Sequence, residues 1–258
     1  MSTILFNEII FGPIKSRRLG NSLGVNLLPK FGKWCSFDCI YCECGWNKDG
    51  KNDTKLPSKE EVYEALDSKL HKLRGEGTPV DTITFSGNGE PTMHPAFPQI
   101  IDFTLQLRDK LYPSAKVSVL TNATQLGRQE VREALQKIDN PILKIDSPIE
   151  WMVEAINIPN ESSSLEKTIE NIKLFNHNFI LQTMFLKGVE NGVEIDCTNG
   201  EHVAKWRDLV RALAPREVMM YTIDRETPAK NLQKVTVGEM EAIAKPLVDE
   251  GFKIQIRG

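Results

Sequence analysis

Short apolar runs rich in β-branched residues alternate along this chain with longer stretches in which apolar residues recur at helical spacing. This alternation is typical of βα units that build a parallel sheet. The pattern predicts seven strands: Ser22–Leu28, Thr82–Ser86, Lys116–Thr121, Ile142–Asp146, Phe179–Phe185, Val218–Ile223 and Phe252–Ile256. It predicts six helices, the first capped by Ser58 with Glu61 and running to about Leu73, the others Pro98–Leu111, Arg128–Ile138, Leu165–Phe175, His202–Leu213 and Val237–Asp249.

This number of units fits an incomplete (β/α)6-type parallel barrel better than a closed barrel, which needs about 250 residues for eight full units. A doubly wound open sheet shows the same alternation, so periodicity alone does not choose between them. The unusual polar clusters favour the barrel, because nearly all of them follow the carboxyl ends of predicted strands, where barrel enzymes gather their chemistry. They are the cysteines after the first strand, Ser86–Pro91, Thr121–Asn122, Asp146–Ser147, Lys187 and Asp224–Arg225. We expect one active site on this rim.

Composition limits the classes of protein to consider. The chain has 258 residues, of which 40% are hydrophobic, enough for one substantial core. We therefore expect a single domain over 1–258, with 1–21 as an amino-terminal extension packed on the barrel rim. No stretch is long and apolar enough to cross a bilayer, and the first residues lack the pattern of a targeting peptide. The expectation is a cytoplasmic protein without a membrane partner.

The formal net charge is −3, which does not indicate nucleic-acid binding. The amino-terminal fifth is nevertheless basic, with Lys15, Arg17, Arg18, Lys30, Lys33, Lys48 and Lys51. Such a segment is most often a solvated surface. It is also the first place to look for an anionic substrate or partner.

Three cysteines carry the strongest chemical signal. Cys35, Cys39 and Cys42 stand close enough in sequence to bind three irons of a cubane cluster. Structural [4Fe–4S] clusters use four cysteines, so three leave one iron without a protein ligand. Zinc is an alternative if Cys44 completes a four-cysteine site, but structural zinc sites usually consist of two separated pairs. Disulfides are disfavoured, because the five cysteines are odd in number and no secretory signal precedes them.

The run Cys35-Ser-Phe-Asp-Cys39-Ile-Tyr41-Cys42 resembles the signature of the radical S-adenosylmethionine (SAM) superfamily. The resemblance implies that Cys35, Cys39 and Cys42 hold a [4Fe–4S] cluster whose open iron binds SAM. It also implies reductive cleavage of SAM to a 5′-deoxyadenosyl radical, which abstracts hydrogen from a substrate. An external low-potential electron donor is expected as a partner.

The same resemblance suggests contacts for SAM. The superfamily has a Gly-Gly-Glu-Pro-like segment after the second strand, and here Asn88 stands between the glycines of Gly87-Asn88-Gly89-Glu90-Pro91. The match implies that this backbone and Glu90 accept hydrogen bonds from the SAM amino group. Tyr41 is expected to border the adenine. Four further residues are candidates for the ribose or carboxylate, or else ordinary turn residues: Thr121, Asn122, Asp146 and Ser147.

Other reactive side chains are assigned simpler roles. His94 is expected to support its loop, since no partner stands near it in sequence. Cys44 is interpreted as a neighbour of the cluster, with an extra ligand or a radical-carrying thiol as alternatives. Cys197 is a minor candidate for substrate contact. Arg17 and Arg18 suit either ion pairs on the rim or recognition of a carboxylate or phosphate.

The segments flanking the cysteines resemble the wyosine-synthase-like branch of iron–sulfur oxidoreductases. The similarity covers Phe11–Gly20, Ser22–Asn26, Cys35–Gly45, Gly87–Pro95 and Tyr221–Pro228. Members of that branch that modify tRNA carry a second cluster on further cysteines, whereas no cysteine precedes Cys35 here. The resemblance therefore extends to fold, cluster and SAM, and not to substrate.

Three hypotheses remain open. The leading one is a radical SAM enzyme acting on an RNA base or on another small or macromolecular substrate. The second is an activase that abstracts hydrogen from a glycine of a partner protein. The third is a non-catalytic interaction protein that binds zinc or a fully ligated cluster.

Overall fold

A computed structural model describes residues 4–16, 19–50, 53–161 and 164–258. The predicted rim arginines, Arg17 and Arg18, and the basic Lys51 lie outside these described residues. Among the helices described here, none has the length and apolar character needed to cross a membrane.

Strands and helices alternate along most of the described chain. The strands are β1 (Ile10–Ser16), β2 (Gly20–Val25), β3 (Thr82–Phe85), β4 (Lys116–Thr121), β5 (Asn140–Lys144), β6 (Ile180–Met184), β7 (Leu186–Glu190), β8 (Val193–Asp196), β9 (Glu217–Tyr221), β10 (Leu232–Lys234) and β11 (Ile254–Arg257). The α-helices are α1 (Lys59–Gly75), α2 (Phe97–Leu111), α3 (Gln129–Lys137), α4 (Glu150–Asn157), α5 (Leu165–Lys173), α6 (Gly200–Leu213) and α7 (Val237–Asp249).

The main sheet has eight strands in the order β1-β2-β3-β4-β5-β6-β9-β11. Within this sheet the neighbouring strands are parallel from β2 through β3, β4, β5, β6 and β9 to β11. The edge strand β1 pairs antiparallel with β2, for example through Lys15 and Asn21. Residues from both edge strands, such as Lys15 and Arg257, line one cavity. The sheet therefore curls into a half-barrel, and the predicted incomplete parallel barrel is confirmed.

Helices cover the outer face of the half-barrel with apolar stripes. In α1 the buried residues Val62, Leu66, Leu70 and Leu73 recur at helical spacing and so form one face. The inner strands are buried on both faces, as all four residues of β3 show. Such strands read as continuous apolar runs in sequence, which is why the strand pattern could be recognised.

The predicted elements correspond closely to the observed ones, with ends shifted by a few residues. Lys116–Thr121 and Val237–Asp249 are reproduced at both ends, and the Ser58–Glu61 capping box is present. The predictions omitted α4 and a three-stranded sheet of β7, β8 and β10. They also omitted β1, which forms one edge of the main sheet within the described part of the amino-terminal extension.

Candidate functional site

The loop that carries the cysteines follows β2 and lies across the carboxyl end of the sheet. Its Trp34 exchanges backbone hydrogen bonds with the turn after β3, at 2.9 Å to Asn88 O and 3.0 Å from Glu90 N. On the other side, Asp38 N donates to Asn157 O of α4 at 2.8 Å. A turn and a helix end therefore fix the loop from two sides, although it contains little regular structure of its own.

All five cysteines are free thiols. The buried Cys39 sulfur has two nitrogen donors, Asn157 Nδ2 at 3.3 Å and Lys144 Nζ at 3.5 Å. Asn122 Nδ2 lies 3.6 Å from the Cys35 sulfur, at the outer limit of such a contact. Side-chain nitrogen donors are thus directed at two of the three predicted ligand sulfurs, Cys35 and Cys39.

The three sulfurs are near enough to influence one another. Burial raises the pKa of Cys35 to about 12, and the neighbouring Cys39 adds to this rise. The pKa of Cys42 is lowered to about 6, first by a hydrogen bond from Cys44 and then by the charge of Lys33. The cysteines that the sequence pattern groups together therefore share one environment in the fold.

Lys33 is a buried cation inside this loop. Its ammonium lies 3.0 Å from Asp38 Oδ1 and 3.0 Å from Gly45 O, and its side chain is 1% exposed. Burial lowers the pKa of Lys33, but negative charge on Cys42 and the other two cysteines, together with the hydrogen bond to Asp38, outweighs burial and holds the pKa above its ordinary value. Lys33 is therefore charged, which favours thiolates beside it.

Cys44 is a fourth thiol in the same place. Its single S–H has two acceptors within reach, the carbonyl oxygen of Gly87 at 3.4 Å and the Cys42 sulfur. The hydrogen bond to Cys42, followed by burial, raises the pKa of Cys44 well above its ordinary value. Cys44 thus lies beside the predicted ligands, as the sequence analysis expected, and its thiol hydrogen is engaged there.

The described side chains contain no group of three or more His, Cys, Asp or Glu placed to hold a single metal ion. A cubane cluster makes a different demand, because each thiolate binds its own iron at a separate corner. Three free thiols on one loop, with nitrogen donors aimed at their sulfurs and a buried cation beside them, are the donor set that such a cluster requires. The residues present therefore fit a [4Fe–4S] cluster.

The Glu90 carboxylate is a buried hub between the ends of β3 and β4. Its Oε1 accepts from Thr92 and from Thr121 Oγ1 at 2.7 Å, and its Oε2 accepts from Asn122 N at 2.7 Å. Burial raises the pKa of Glu90, while these donors act in the opposite direction. The predicted residues Glu90, Thr121 and Asn122 are thus brought together, and the Glu90 carboxylate braces the rim. A contact between Glu90 and SAM stays a prediction.

The turn before Glu90 is shaped by close backbone approach. A Cβ on Gly89 would lie 1.9 Å from Trp34 O, and one on Gly87 would lie 2.5 Å from Asn26 Oδ1. Between them the Asn88 side chain binds the backbone of Phe6 at 2.8 Å and of Pro29 at 2.7 Å. The inserted Asn88 therefore ties together the amino-terminal segment and the loop that leads to the cysteines.

Tyr41 and Asp146 belong to one buried network. The Tyr41 hydroxyl donates to Asp146 Oδ2, and Lys144 Nζ lies 2.5 Å from the hydroxyl and 3.2 Å from the same carboxylate oxygen. Asp146 also accepts from Asn157 at 2.6 Å and from Met184 N at 3.1 Å. Burial raises the pKa of Tyr41, so the phenol stays protonated and donates.

Ser147, next to Asp146, is fully buried and accepts from Ile149 N at 3.1 Å. This is the ordinary turn role that the sequence analysis left open. Its contact with SAM stays a prediction.

The remaining candidates have structural surroundings. His94 accepts from Ala96 N at 3.1 Å and pairs with Pro57 O at 2.9 Å, so it braces its loop as expected. Cys197 is fully buried, and burial raises its pKa to about 12. Lys187 lies in β7 and pairs with Glu239 at 2.7 Å. Arg225 pairs with Glu43 of the cysteine loop at 2.6 Å.

Two large cavities flank the cysteine loop. A cavity of about 470 Å³ fills the half-barrel and is lined by Tyr41 and Cys42 at its mouth. A cavity of about 810 Å³ lies on the outer side and is lined by Cys35 and Trp34. Asn122 and Asp146 border a small space of about 20 Å³. The loop therefore separates a barrel interior from an outer groove, with cysteines facing each.

Sequence reasoning missed three residues that complete the site, namely Lys33, Lys144 and Asn157. Lys144 carried a usable signal, since it is a lysine within an apolar strand two residues before Asp146. Asn157 gave no such signal, because α4 was not predicted. Lys33 was counted only as part of a basic segment.

The comparisons with known proteins agree with this geometry. The model of the radical SAM superfamily matches residues 30–196, well over half of the chain. The chain therefore belongs to the radical SAM superfamily, as the cysteine signature indicated.

Relatives and solved structures extend the comparison. A UPF0026 protein of Methanocaldococcus jannaschii is 29% identical over 230 residues, which cover 87% of this chain and 66% of that protein. The fold is similar to that of Streptococcus suis SuiB bound to S-adenosylmethionine, with a TM-score of 0.65, 14% identity, 91% coverage of this chain and 50% of that one. The fold is also similar to that of a radical SAM methyltransferase from Sphaerobacter thermophilus, with a TM-score of 0.66 and 14% identity. That alignment covers 92% of this chain and 65% of the methyltransferase.

The aligned part of the chain thus covers 66% or less of each of these proteins. The structural neighbours define the fold class. The resemblance to the wyosine-synthase-like branch stays a prediction.

Proposed function

We propose that this chain is a radical SAM enzyme in which Cys35, Cys39 and Cys42 hold a [4Fe–4S] cluster with one open iron. SAM binds there and is cleaved reductively to methionine and a 5′-deoxyadenosyl radical, which abstracts hydrogen from a substrate. The observation that carries the proposal is the cysteine loop itself, with three free thiols on the rim of a half-barrel and donors directed at Cys35 and Cys39.

The bound cluster would supply the single electron that breaks the sulfur–carbon bond of SAM. The residues of this chain would hold the cluster and SAM and orient them. Two backbone hydrogen bonds between Trp34 and the turn after β3 fix the position of the cysteine loop on the carboxyl end of the sheet. The Glu90 carboxylate joins that turn to Thr121 and Asn122, so the ends of β3 and β4 form one rigid support.

The half-barrel cavity is the proposed place for the reacting part of SAM and for the substrate. It is lined by Tyr41 and Cys42 of the loop, by apolar side chains including Leu120, Ile142 and Met219, and by polar ones including Thr84, Gln182 and Arg225. The apolar part of this lining would keep water and stray hydrogen donors from a reactive carbon radical, and the polar part would bind polar groups of SAM or the substrate. Its volume of about 470 Å³ lies in the range of small-molecule sites.

The need for an electron-donor partner follows from the electron balance of SAM cleavage. Cleavage of SAM consumes one electron, and the described residues hold one candidate cluster site, so an external low-potential donor is proposed. The substrate is proposed to be a molecule or group small enough to enter the half-barrel. An RNA base fits this description, as do a protein side chain and a small metabolite.

The test is anaerobic reconstitution with iron and sulfide, followed by reduction with dithionite in the presence of SAM. The wild type is expected to form 5′-deoxyadenosine and methionine, and Cys39→Ala is expected to form neither. Cys197→Ala is the matched control, since Cys197 is buried with its backbone N–H bonded to Leu186 O of β7, and it should retain the activity of the wild type. A wild-type protein that binds zinc and no iron would contradict the proposal.

A further inference from the structure

Lys144 and Asn157 are two buried nitrogen donors that converge on one cysteine. Lys144 Nζ lies 3.5 Å and Asn157 Nδ2 3.3 Å from the Cys39 sulfur. Lys144 comes from the end of β5, and Asn157 from the end of α4. The Cys35 sulfur receives two uncharged donors, the side-chain amide of Asn122 at 3.6 Å and the backbone N–H of Phe37. Cys39 differs from Cys35 because one of its two donors, the Lys144 ammonium, carries a positive charge.

Asp146 fixes both donors in place. Its Oδ2 lies 3.2 Å from Lys144 Nζ and 2.6 Å from Asn157 Nδ2, and it also accepts from the Tyr41 hydroxyl. Asp146 is 1% exposed and Asn157 is 1% exposed. Because a buried carboxylate needs such donors, the three residues stabilise one another whether or not a ligand is bound. Lys144 is thus held against Cys39 by the fold.

The charge of Lys144 is directed toward the cysteine loop by its surroundings. Its side chain is 14% exposed, and its ammonium lies 5.0 Å from the centre of the Tyr41 ring and 6.0 Å from that of Phe37. Two aromatic faces thus border the ammonium together with Asp146. In a site so poorly exposed to water, a positive charge acts strongly on a nearby thiolate.

We propose that Lys144, supported by Asn157, is a positioning residue that raises the reduction potential of the cluster through the Cys39 thiolate. The inference rests on the proposed function. Reduction adds one negative charge to a cluster, and hydrogen bonds to its sulfurs together with nearby cations stabilise the reduced form. Lys144 supplies both effects at one sulfur, so its loss makes the cluster harder to reduce.

The test is a redox titration of reconstituted protein followed by electron paramagnetic resonance, without SAM. Lys144→Met removes the charge at similar length, and Lys144→Arg retains it. We expect Lys144→Met to lower the reduced-to-oxidised ratio at a fixed potential about tenfold, which is about 59 mV for one electron. Lys144→Arg should stay within about threefold of the wild type. Lys187→Met is the matched control, since Lys187 pairs with Glu239 outside the cysteine loop, and it should not change the titration.

The outcomes separate this inference from the proposed function. A full cluster that titrates at the wild-type potential in Lys144→Met would overturn the role of Lys144. If Lys144→Met retains no cluster, the same redox titration of Asn157→Leu tests the inference instead. This variant removes one N–H donor to Cys39 and leaves the lysine charge in place. A smaller downward shift in Asn157→Leu would support the inference, and an unchanged potential would overturn it. A wild type that binds no iron would contradict the proposed function and this inference together.

Discussion

Gly89 occupies a position where no side chain fits. Its φ is +137°, a conformation that other residues rarely adopt, and a Cβ there would lie 1.9 Å from Trp34 O. Trp34 O is the acceptor for Glu90 N, so a shift at Gly89 also moves the cysteine loop. The glycine thus links a backbone requirement to the position of the proposed ligands.

Gly89→Ala is predicted to lower the free energy of unfolding by about 2–4 kcal/mol, because it adds both backbone strain and a clash. The loss should appear as a lower thermal midpoint and a lower iron content after reconstitution. Gly75→Ala is the control, since a Cβ at this helical glycine has no heavy atom within 4 Å. A Gly89→Ala protein with the midpoint and iron content of Gly75→Ala would contradict the described geometry.

Glu90 shows how far a motif can be interpreted without coordinates. The sequence pointed to Glu90, Thr121 and Asn122 as separate contacts for SAM. The structure joins them by hydrogen bonds of 2.7 Å, because parallel strands bring their carboxyl ends to one edge. Which donors fill a carboxylate depends on side-chain directions in three dimensions, so the supporting role of Glu90 could not be derived from spacing.

Among the elements, β4 and β5 are fastened at their starts by Asp139. Its carboxylate accepts from Arg108 at 2.7 Å, Val117 N at 2.9 Å and Lys116 at 3.1 Å. Burial raises the pKa of Asp139, but these donors outweigh burial and leave the pKa below its ordinary value of 3.8. Because the folded pKa is depressed, Asp139 stabilises the fold above about pH 4. This contribution is lost as the pH falls through the folded pKa.

Asp139→Asn is therefore predicted to cost about 1 kcal/mol at neutral pH, a modest figure because the carboxylate is partly screened by solvent. The difference in thermal midpoint between variant and wild type should begin to narrow below about pH 4 and should close as the pH falls through the lower folded pKa, where the folded wild-type carboxyl also becomes neutral. Asp102→Asn is the control, because its pair with Lys137 is half-exposed on both sides and should contribute little. A difference that stays constant from pH 7 to pH 2.5 would refute this role of Asp139.

The elements that the sequence revealed and those that it concealed differ in pattern. The parallel strands are buried on both faces, and their apolar runs stand out, as in β3. The strands β7, β8 and β10 are more exposed, so they lack that contrast. Helix α4 has eight residues and no side-chain cap at Ile149, and hence no start signal. The last backbone carbonyls of α4 nevertheless hold the cysteine loop, because they accept hydrogen bonds from the backbone N–H groups of Asp38 and Ile40.

For the molecule as a whole, the site depends on contacts between distant parts of the chain. Asn88 binds Phe6 across 82 positions, and Arg225 reaches Glu43 across 182. Sequence motifs identified the three cysteines, the rim and the fold class. They did not connect Lys144 or Asn157 with Cys39, which both residues contact across more than 100 positions. Such contacts arise only when the half-barrel is assembled.

The decisive measurement is the electron paramagnetic resonance spectrum of the reconstituted, dithionite-reduced protein with and without SAM. If three cysteines leave one iron open, the wild type should show a reduced-cluster signal whose shape changes when SAM is added. Cys44→Ala should respond in the same way, because Cys44 is not proposed as a ligand. The contrary result would be a full cluster in the wild type whose signal does not change when SAM is added, together with a signal that does change in Cys44→Ala. It would show that Cys44 is the ligand of the fourth iron. That result would contradict an open site for SAM.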